Sequence, residues 1–296
     1  MTKYFLFSIF FISLIGCSNQ EEKETTTTAN WGYKVIHSNP LFTKSTSKQE
    51  IKIAIVDSGI KEEHIALQNK IVDSYNAIAP DQKATDDLGH GTAIAGIIGA
   101  NMPDENMIGL APNAKLYNVK VLNSQGKGDI ETVIRGIKWC IDQKVDIINI
   151  SFGFEANHFE LEKIINKALE NEIIVIAASG NTLGLRVDYP AKYDGVISVA
   201  ALKPDLTRYS YSGKGKIDYS APGKNIISTH SDGGFSEFNG TSFSAAFVTG
   251  TIAHLMGSSA ENINSNNINS FLKPFVKDLG PNGFDEKYGH GLIQIN

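Results

Sequence analysis

The sequence predicts an α/β fold built on a mostly parallel central sheet, and three observations support this prediction. Short runs of apolar, often β-branched residues alternate with longer segments that have helical spacing, which favours parallel strands joined by helices. Polar residues follow directly on the ends of several of these apolar runs. We find no internal repeat along the chain.

The elements can be placed in chain order from the apolar pattern. The predicted strands cover residues 51–56, 116–122, 145–150, 173–178 and 196–202. The predicted helices cover residues 90–100, 130–143, 159–171 and 242–256. Asp129 immediately precedes the second helix, where an aspartate side chain can accept a hydrogen bond from a free backbone N–H, so it is the expected N-cap.

Composition limits the classes of function. The chain has 296 residues, of which 42% are hydrophobic and 20% are charged, and its formal net charge is −5. This length supplies ample material for a buried core. No block of lysine and arginine stands out, so we expect no nucleic-acid partner. Of the two cysteines, Cys140 lies in an apolar stretch and is expected to be a buried, inert thiol.

Residues 1–16 have the pattern of a secretory signal peptide. Lys3 is followed by an apolar run over residues 4–15, which is shorter than the roughly 20 residues that a transmembrane helix needs. The run ends in Leu14-Ile15-Gly16-Cys17, which resembles the lipobox of bacterial lipoproteins. That resemblance implies lipidation of Cys17 with more than one acyl chain, enough for stable anchoring. The alternative is a plain signal peptide with a chance cysteine.

Residues 17–30 are polar and lack apolar periodicity, which indicates a flexible tether. The globular domain is expected to cover residues 31–296 and to be a monomer. With a lipidated Cys17, the domain would be extracytoplasmic and attached to a bacterial cell membrane.

Polar side chains follow three of the predicted strands. Asp57 and Ser151 each come directly after a strand, and Asn181 comes three residues after Ala178. Ligand sites in open α/β sheets lie outside the carboxyl ends of the strands. The pattern therefore predicts one crevice that contains all three residues.

Asp57, His90, Asn181 and Ser242 each have glycine or small neighbours, which let a substrate backbone approach. A serine hydroxyl needs an imidazole to accept its proton, and a buried carboxylate holds the imidazole in the right tautomer. The oxyanion that forms needs preorganised donors, for which the Asn181 amide and the Ser242 N–H are candidates. The dipole of a helix that begins at His90 would favour the neutral imidazole.

These motifs resemble those of the subtilisin-like serine peptidases, which have Asp, His, Asn and Ser in this chain order. The resemblance implies a three-layer α/β/α fold, with Asp57 orienting His90, His90 as general base and acid, Ser242 as nucleophile and Asn181 as oxyanion donor. Each residue alone could equally be a turn or capping residue. Further matching segments extend the resemblance from about Trp31 to Leu292: Gly109-Leu110-Ala111-Pro112, Val119-Lys120-Val121-Leu122, Ser151-Phe152-Gly153, Tyr189-Pro190-Ala191 and Ala221-Pro222-Gly223.

The chain departs from the family pattern at several positions. Ala93, Phe243 and Ala246 stand where the family usually has His, Met and Pro, and we expect activity to survive these changes. Ala66 replaces the Asp of the family's strong calcium site, while the loop at residues 101–108 keeps oxygen-bearing side chains. Because calcium prefers six to eight oxygen ligands, we expect no required metal or cofactor and leave room only for a weak calcium site.

The same resemblance places the S1 pocket, which holds the substrate side chain before the scissile bond. Asp188 would lie near its floor, where a carboxylate would favour cleavage after Arg or Lys. The alternatives are a solvated loop carboxylate or one neutralised by Arg186. The expected pocket walls are Ser151, Phe152, Gly153, Ala178, Ser179 and Gly180.

The sequence thus predicts a serine endopeptidase that acts on extracytoplasmic proteins or exported peptides. A dedicated leader-peptide maturation peptidase and an inactive peptide-binding relative remain alternatives. An esterase on another fold is disfavoured, because the Gly-x-Ser-x-Gly elbow is absent around Ser242 and the chain order is wrong for it.

Overall fold

The computed structural model describes residues 31–37, 49–102 and 107–295. The predicted signal peptide, the tether and Cys17 lie outside these residues. Within them, no helix combines the length and the hydropathy needed to span a bilayer.

A nine-stranded sheet forms the centre of the domain. Its order is β12-β13-β9-β8-β7-β6-β1-β5-β2, and every pairing is parallel except that of β12 with β13. Two-stranded sheets of β3 with β4 and of β10 with β11 lie outside it. The strands are β1 (Lys52–Asp57), β2 (Ile71–Asn76), β3 (Asn101–Met102), β4 (Met107–Ile108), β5 (Lys115–Lys120), β6 (Ile147–Ile150), β7 (Ile174–Ala178), β8 (Ile197–Leu202), β9 (Tyr219–Pro222), β10 (Ile226–Thr229), β11 (Phe235–Phe238), β12 (Val276–Lys277) and β13 (Leu292–Ile293).

The helices agree with the sequence prediction to within about two residues wherever one was predicted. They are α1 (Trp31–Ile36), α2 (His90–Gly99), α3 (Ile130–Asp142), α4 (Phe159–Glu170), α5 (Thr241–Ser258) and α6 (Ile268–Leu272). The Asp129 cap is confirmed, because its Oδ1 accepts a hydrogen bond of 2.8 Å from Thr132 N.

The sheet separates two apolar cores, which confirms the three-layer α/β/α prediction. Alternate side chains of a strand point to opposite faces. On β1, Ile53 and Ile55 accordingly pack in the core that contains α2 and α5. Ala54 and Val56 pack in the core that contains α3 and α4.

Cys140 belongs to this second core and is fully buried, as predicted. Burial raises the pKa of its thiol, so the reactive thiolate is suppressed.

The sequence analysis missed the edges of the sheet. The β2 strand at one edge has exposed positions, and β12 and β13 at the other edge are two residues long. Such strands lack the continuous apolar run that marks a buried strand, because only part of their surface is covered. The sequence analysis also missed β9, which is buried but only four residues long. The strands β1, β6 and β7, which position the site, were predicted.

Candidate active site

The carboxyl ends of three neighbouring strands lie side by side at the same end of the sheet. The order β7-β6-β1 places Asn181 just beyond β7, Ser151 just beyond β6 and Asp57 at the end of β1. The helices α2 and α5 pack together against the sheet. They bring His90 and Ser242, which lie at their N-terminal ends, to the same end of the sheet.

A cavity of about 260 Å³ opens at this end of the sheet. It contains three of the four predicted catalytic residues, while Asp57 lies buried behind His90. Ser179 does not line the cavity, because its side chain is fully buried and faces the Ser212 hydroxyl. The lining residues are Leu88, His90, Leu122, Gly126, Ser151, Phe152, Gly153, Ala178, Gly180, Asn181, Asp188, Thr241 and Ser242.

His90 and Asp57 form a short hydrogen bond. Asp57 Oδ1 lies 2.7 Å from His90 Nδ1, and it also accepts a 2.7 Å hydrogen bond from Ser58 N. The Asp57 side chain has no exposed surface, whereas 24% of the His90 side chain is exposed. A carboxylate in this position holds the proton on Nδ1 and leaves Nε2 as the basic nitrogen.

The pKa of His90 lies above its ordinary value of 6.5. Burial is the largest influence and lowers it, but the charge and hydrogen bond of Asp57, with the charge of Asp86, outweigh burial. The contribution expected from the helix dipole, which disfavours the imidazolium, stays a prediction. The two carboxylates are full charges, whereas the helix end contributes only about half a charge.

Ser242 is the second residue of α5. Its Oγ donates a 2.6 Å hydrogen bond to Ser151 O, and Ser151 Oγ donates a 3.0 Å hydrogen bond to Ser242 O. The hydroxyl thus points to a carbonyl and not to the His90 ring in this structure. Rotation about the Cα–Cβ bond would redirect it within the cavity that both residues line.

The Asn181 side chain is oriented by α5. Its Oδ1 accepts a 3.2 Å hydrogen bond from Thr241 N, so the amide nitrogen remains available as a donor. Gly240 has φ +141°, and a Cβ there would lie 3.1 Å from Asn181 Nδ2. Glycine at this position therefore gives the amide its space beside Ser242.

Asp188 lines the cavity and lies against two of its glycines. A Cβ on Gly180 would lie 2.4 Å from Asp188 Oδ2, and one on Gly153 would lie 2.7 Å from Asp188 Cβ. Arg186 Nε lies 3.0 Å from Asp188 Oδ1, and Arg186 Nη2 lies 3.3 Å from Glu155 Oε2. Burial raises the pKa of Asp188, and Arg186 partly opposes the rise.

The residues that differ from the family pattern occupy buried positions. Phe243 packs its ring beside His90, with 5.5 Å between the ring centroids. Ala66 lies in a small apolar cluster with Ala100 and Met107, so that position offers no side-chain oxygen to a cation. Residues 103–106 of the partner loop lie outside the described residues, and the weak calcium site stays a prediction.

The sequence analysis did not assign Lys120 to the site. Its Nζ donates a 2.6 Å hydrogen bond to Ser58 O and lies 3.1 Å from Asp87 Oδ2, and the residue is 5% exposed. It therefore stabilises the turn that follows Asp57. A lysine at the end of an apolar strand was the available signal, because lysine is rarely buried without a partner.

Comparison with known proteins agrees with the fold and identifies a family. The model of the subtilase family matches residues 48–291. Subtilisin DY of Bacillus licheniformis is 32% identical over 273 residues, which cover 90% of this chain and 97% of the relative. The major intracellular serine protease of Bacillus subtilis is 36% identical over 234 residues, which cover 75% of this chain and 73% of the relative.

The minor extracellular protease Epr of Bacillus subtilis is 35% identical over 267 residues. The matched region covers 89% of this chain but only 41% of that relative. The chain thus spans less than half the length of Epr and nearly the whole of subtilisin DY.

Proposed function

The chain belongs to the subtilase family of serine endopeptidases, and on that premise we propose that it hydrolyses peptide bonds. In this proposal Ser242 is the nucleophile and His90 is the general base and acid. Asp57 orients the His90 ring. The observation that carries this proposal is the 2.7 Å contact between His90 Nδ1 and Asp57 Oδ1, in a histidine that shares a cavity with Ser242. The proposed substrates are extracytoplasmic proteins or exported peptides.

The chemistry proceeds in two steps. The Ser242 hydroxyl transfers its proton to His90 Nε2 while Oγ attacks the substrate carbonyl carbon, and the resulting oxyanion accepts hydrogen bonds from Asn181 Nδ2 and Ser242 N–H. The imidazolium then gives its proton to the leaving amine. Water hydrolyses the acyl-enzyme ester by the same proton path, which restores Ser242.

Active-site labelling tests this proposal directly. A fluorophosphonate probe reacts with an activated serine, so we expect it to label the purified domain on Ser242. A peptide-binding protein without catalysis would remain unlabelled. A screen of protein substrates against leader-peptide precursors separates a general endopeptidase from a dedicated maturation peptidase.

We further propose that Asp188 favours cleavage after Arg or Lys. Asp188 lines the cavity beside Arg186, and a substrate guanidinium could share its carboxylate with Arg186. We expect the kcat/KM of an Arg-ending chromogenic peptide to exceed that of its Phe-ending analogue by about tenfold, since hydrogen bonds to charged groups contribute about 1.5–3 kcal/mol before competition.

Two variants sharpen this test of specificity. Arg186→Ala removes the competing cation and should raise the ratio of Arg to Phe cleavage, while Asp188→Asn should abolish the preference. Faster cleavage after Phe by the unmodified protein would remove the proposal and leave Asp188 as a carboxylate paired within its own loop.

The location proposed for the protein is extracytoplasmic, with lipid attachment at Cys17. The relatives' names include both an extracellular and an intracellular protease, so the support comes from the signal pattern of residues 1–16 and the lipobox. Mass spectrometry of the mature N-terminus should show an acylated cysteine. Cys17→Ser should release the protein from the membrane fraction, whereas unchanged membrane association would contradict the anchor.

A further inference from the structure

Asp86 is a buried carboxylate four residues before His90, and its residue is 9% exposed. Its Oδ1 accepts hydrogen bonds from Ser58 Oγ at 2.8 Å, Leu88 N at 3.1 Å and Gly89 N at 2.8 Å. Its Oδ2 accepts from Thr92 N at 2.9 Å and from Thr92 Oγ1 at 2.5 Å. Five donors therefore converge on one carboxylate, which is the arrangement of an ionised, acceptor-only group.

The donors to Asp86 come from both segments that carry the His90–Asp57 pair. Ser58 directly follows Asp57, while Leu88, Gly89 and Thr92 surround His90. Ser58 Oγ also accepts a 3.0 Å hydrogen bond from Gly91 N. Asp86 and Ser58 together thus join the turn after β1 to the first turn of α2.

Asp86 also replaces the missing cap of α2. The N-cap residue is Gly89, which has φ +89° and no side chain to accept a hydrogen bond from the free N–H groups of the helix. The Asp86 carboxylate accepts from Thr92 N in its place. A negative charge at this end of the helix also interacts favourably with the helix dipole.

We propose that Asp86 is a positioning residue for the proposed peptidase reaction: it holds His90 in line with Asp57 and supplies a second negative charge that stabilises the imidazolium. This inference depends on the assignment of His90 as the base. The pKa of His90 is raised, and the charge of Asp86 contributes to the rise, which agrees with this role.

Besides Asp86, the charged or titratable groups near His90 are Asp57, Asp87, His230 and Asp232, and each of them has a partner of its own. Asp57 is in direct contact. Asp87 pairs with Lys120 of β5. On the loop between β10 and β11, His230 lies 3.0 Å from Asp232 and its ring borders Gly89. From α5, the facing side chains are Ser242 and Phe243, neither of which carries a charge.

The test compares Asp86→Asn with Asp87→Asn as its control. Asp87→Asn also removes one negative charge, but from a side chain that is 55% exposed. An amide at position 86 would present an NH₂ group to one set of N–H and O–H donors. We expect kcat of Asp86→Asn to fall by about 10- to 100-fold with KM little changed, because substrate contacts remain.

The pH dependence separates the two roles of Asp86. Loss of its charge makes the imidazolium less stable, so the pKa of His90 falls and the acidic limb of kcat/KM moves to lower pH, by about half a unit or more. Ser58→Ala keeps the charge but removes the bridge, so it should lower kcat several-fold and leave the limb in place. Asp87→Asn should leave both quantities near their original values.

NMR titration of the His90 ring in the Ser242→Ala protein gives the same pKa without turnover. An Asp86→Asn change that leaves this titration unmoved would overturn the electrostatic role, and full activity of Ser58→Ala would overturn the positioning role even if Asp86→Asn fails to fold. Failure of the parent protein to hydrolyse peptides or react with fluorophosphonate would instead refute the proposed function.

Discussion

The Ser242→Ala protein is expected to lose peptide hydrolysis by about a million-fold, the magnitude known for this change in subtilisin, a member of the same family. The substitution removes the only atom that attacks the substrate carbonyl in the proposed reaction. It leaves α5 intact, because alanine is a good helix former. The variant should therefore fold normally, bind peptides and fail to react with a fluorophosphonate probe. Gel-based labelling and a chromogenic peptide assay measure both effects.

Ser244→Ala is the matched control for this experiment. Ser244 lies on the same helix, and its hydroxyl also donates to a backbone carbonyl, that of Pro222, at 3.1 Å. Its loss should leave labelling unchanged. Probe attachment that persists in Ser242→Ala and disappears in another serine variant would move the nucleophile elsewhere.

Asn181→Ala is expected to lose less activity than Ser242→Ala. This variant keeps the nucleophile and its base but removes one proposed oxyanion donor. Subtilisin itself loses about 100- to 1,000-fold in turnover when its oxyanion asparagine is removed, and a similar loss is expected here. Labelling should continue, only more slowly, which distinguishes an oxyanion donor from the attacking group.

Asp57→Asn is expected to reduce kcat by about ten-thousand-fold, a size typical of serine peptidases that lose this carboxylate. If the amide carbonyl keeps the place of Oδ1, the NH₂ group enters the buried position of Oδ2, which has no hydrogen-bond partner among the described residues. If the amide turns round, its NH₂ faces His90 Nδ1 and forces the proton onto Nε2. Neither arrangement leaves an anion to stabilise the imidazolium.

The pH dependence of the residual activity of Asp57→Asn is a second measurement. Because Asp57 raises the pKa of His90, its loss should move the acidic limb of the residual activity to lower pH. Asp129→Asn is the matched control, since Asp129 also accepts a hydrogen bond from a backbone N–H but caps α3, where asparagine serves equally well. Equal losses of activity in the two variants would contradict the role proposed for Asp57.

Sequence patterns predicted the elements that position the site more reliably than the edges of the fold. The strands β1, β6 and β7 are buried on both faces, so their apolar runs identify them. The helix α3 has a clear apolar stripe, and Asp129 marks its first turn. By contrast, β2 has exposed residues and β13 is very short, so neither carries a comparable signal.

The candidate site shows a similar division. The four residues Asp57, His90, Asn181 and Ser242 could be named as candidates because their glycine-flanked motifs stand in the chain order of the subtilisin-like peptidases, and because acyl transfer restricts which residue types can take part. Asp188 was likewise named from the sequence as a residue near this pocket, and it lines the cavity. The sequence could not decide how strongly Arg186 pairs with Asp188, since that depends on the path of the loop at residues 182–187 and on the position of Glu155.

What the sequence by itself determined is the parallel sheet and the set of candidate reactive groups that follow its strands, because residue type and apolar periodicity are local properties of the chain. The tertiary structure alone decided the electrostatics: the sign of the shift in the His90 pKa, the ion pair of Asp188 and the five donors around Asp86. The contacts of His90 with Asp57 and of Asp86 with Ser58 join residues 33 and 28 positions apart, and all of these effects depend on the exclusion of water. Both arise only when the layers pack.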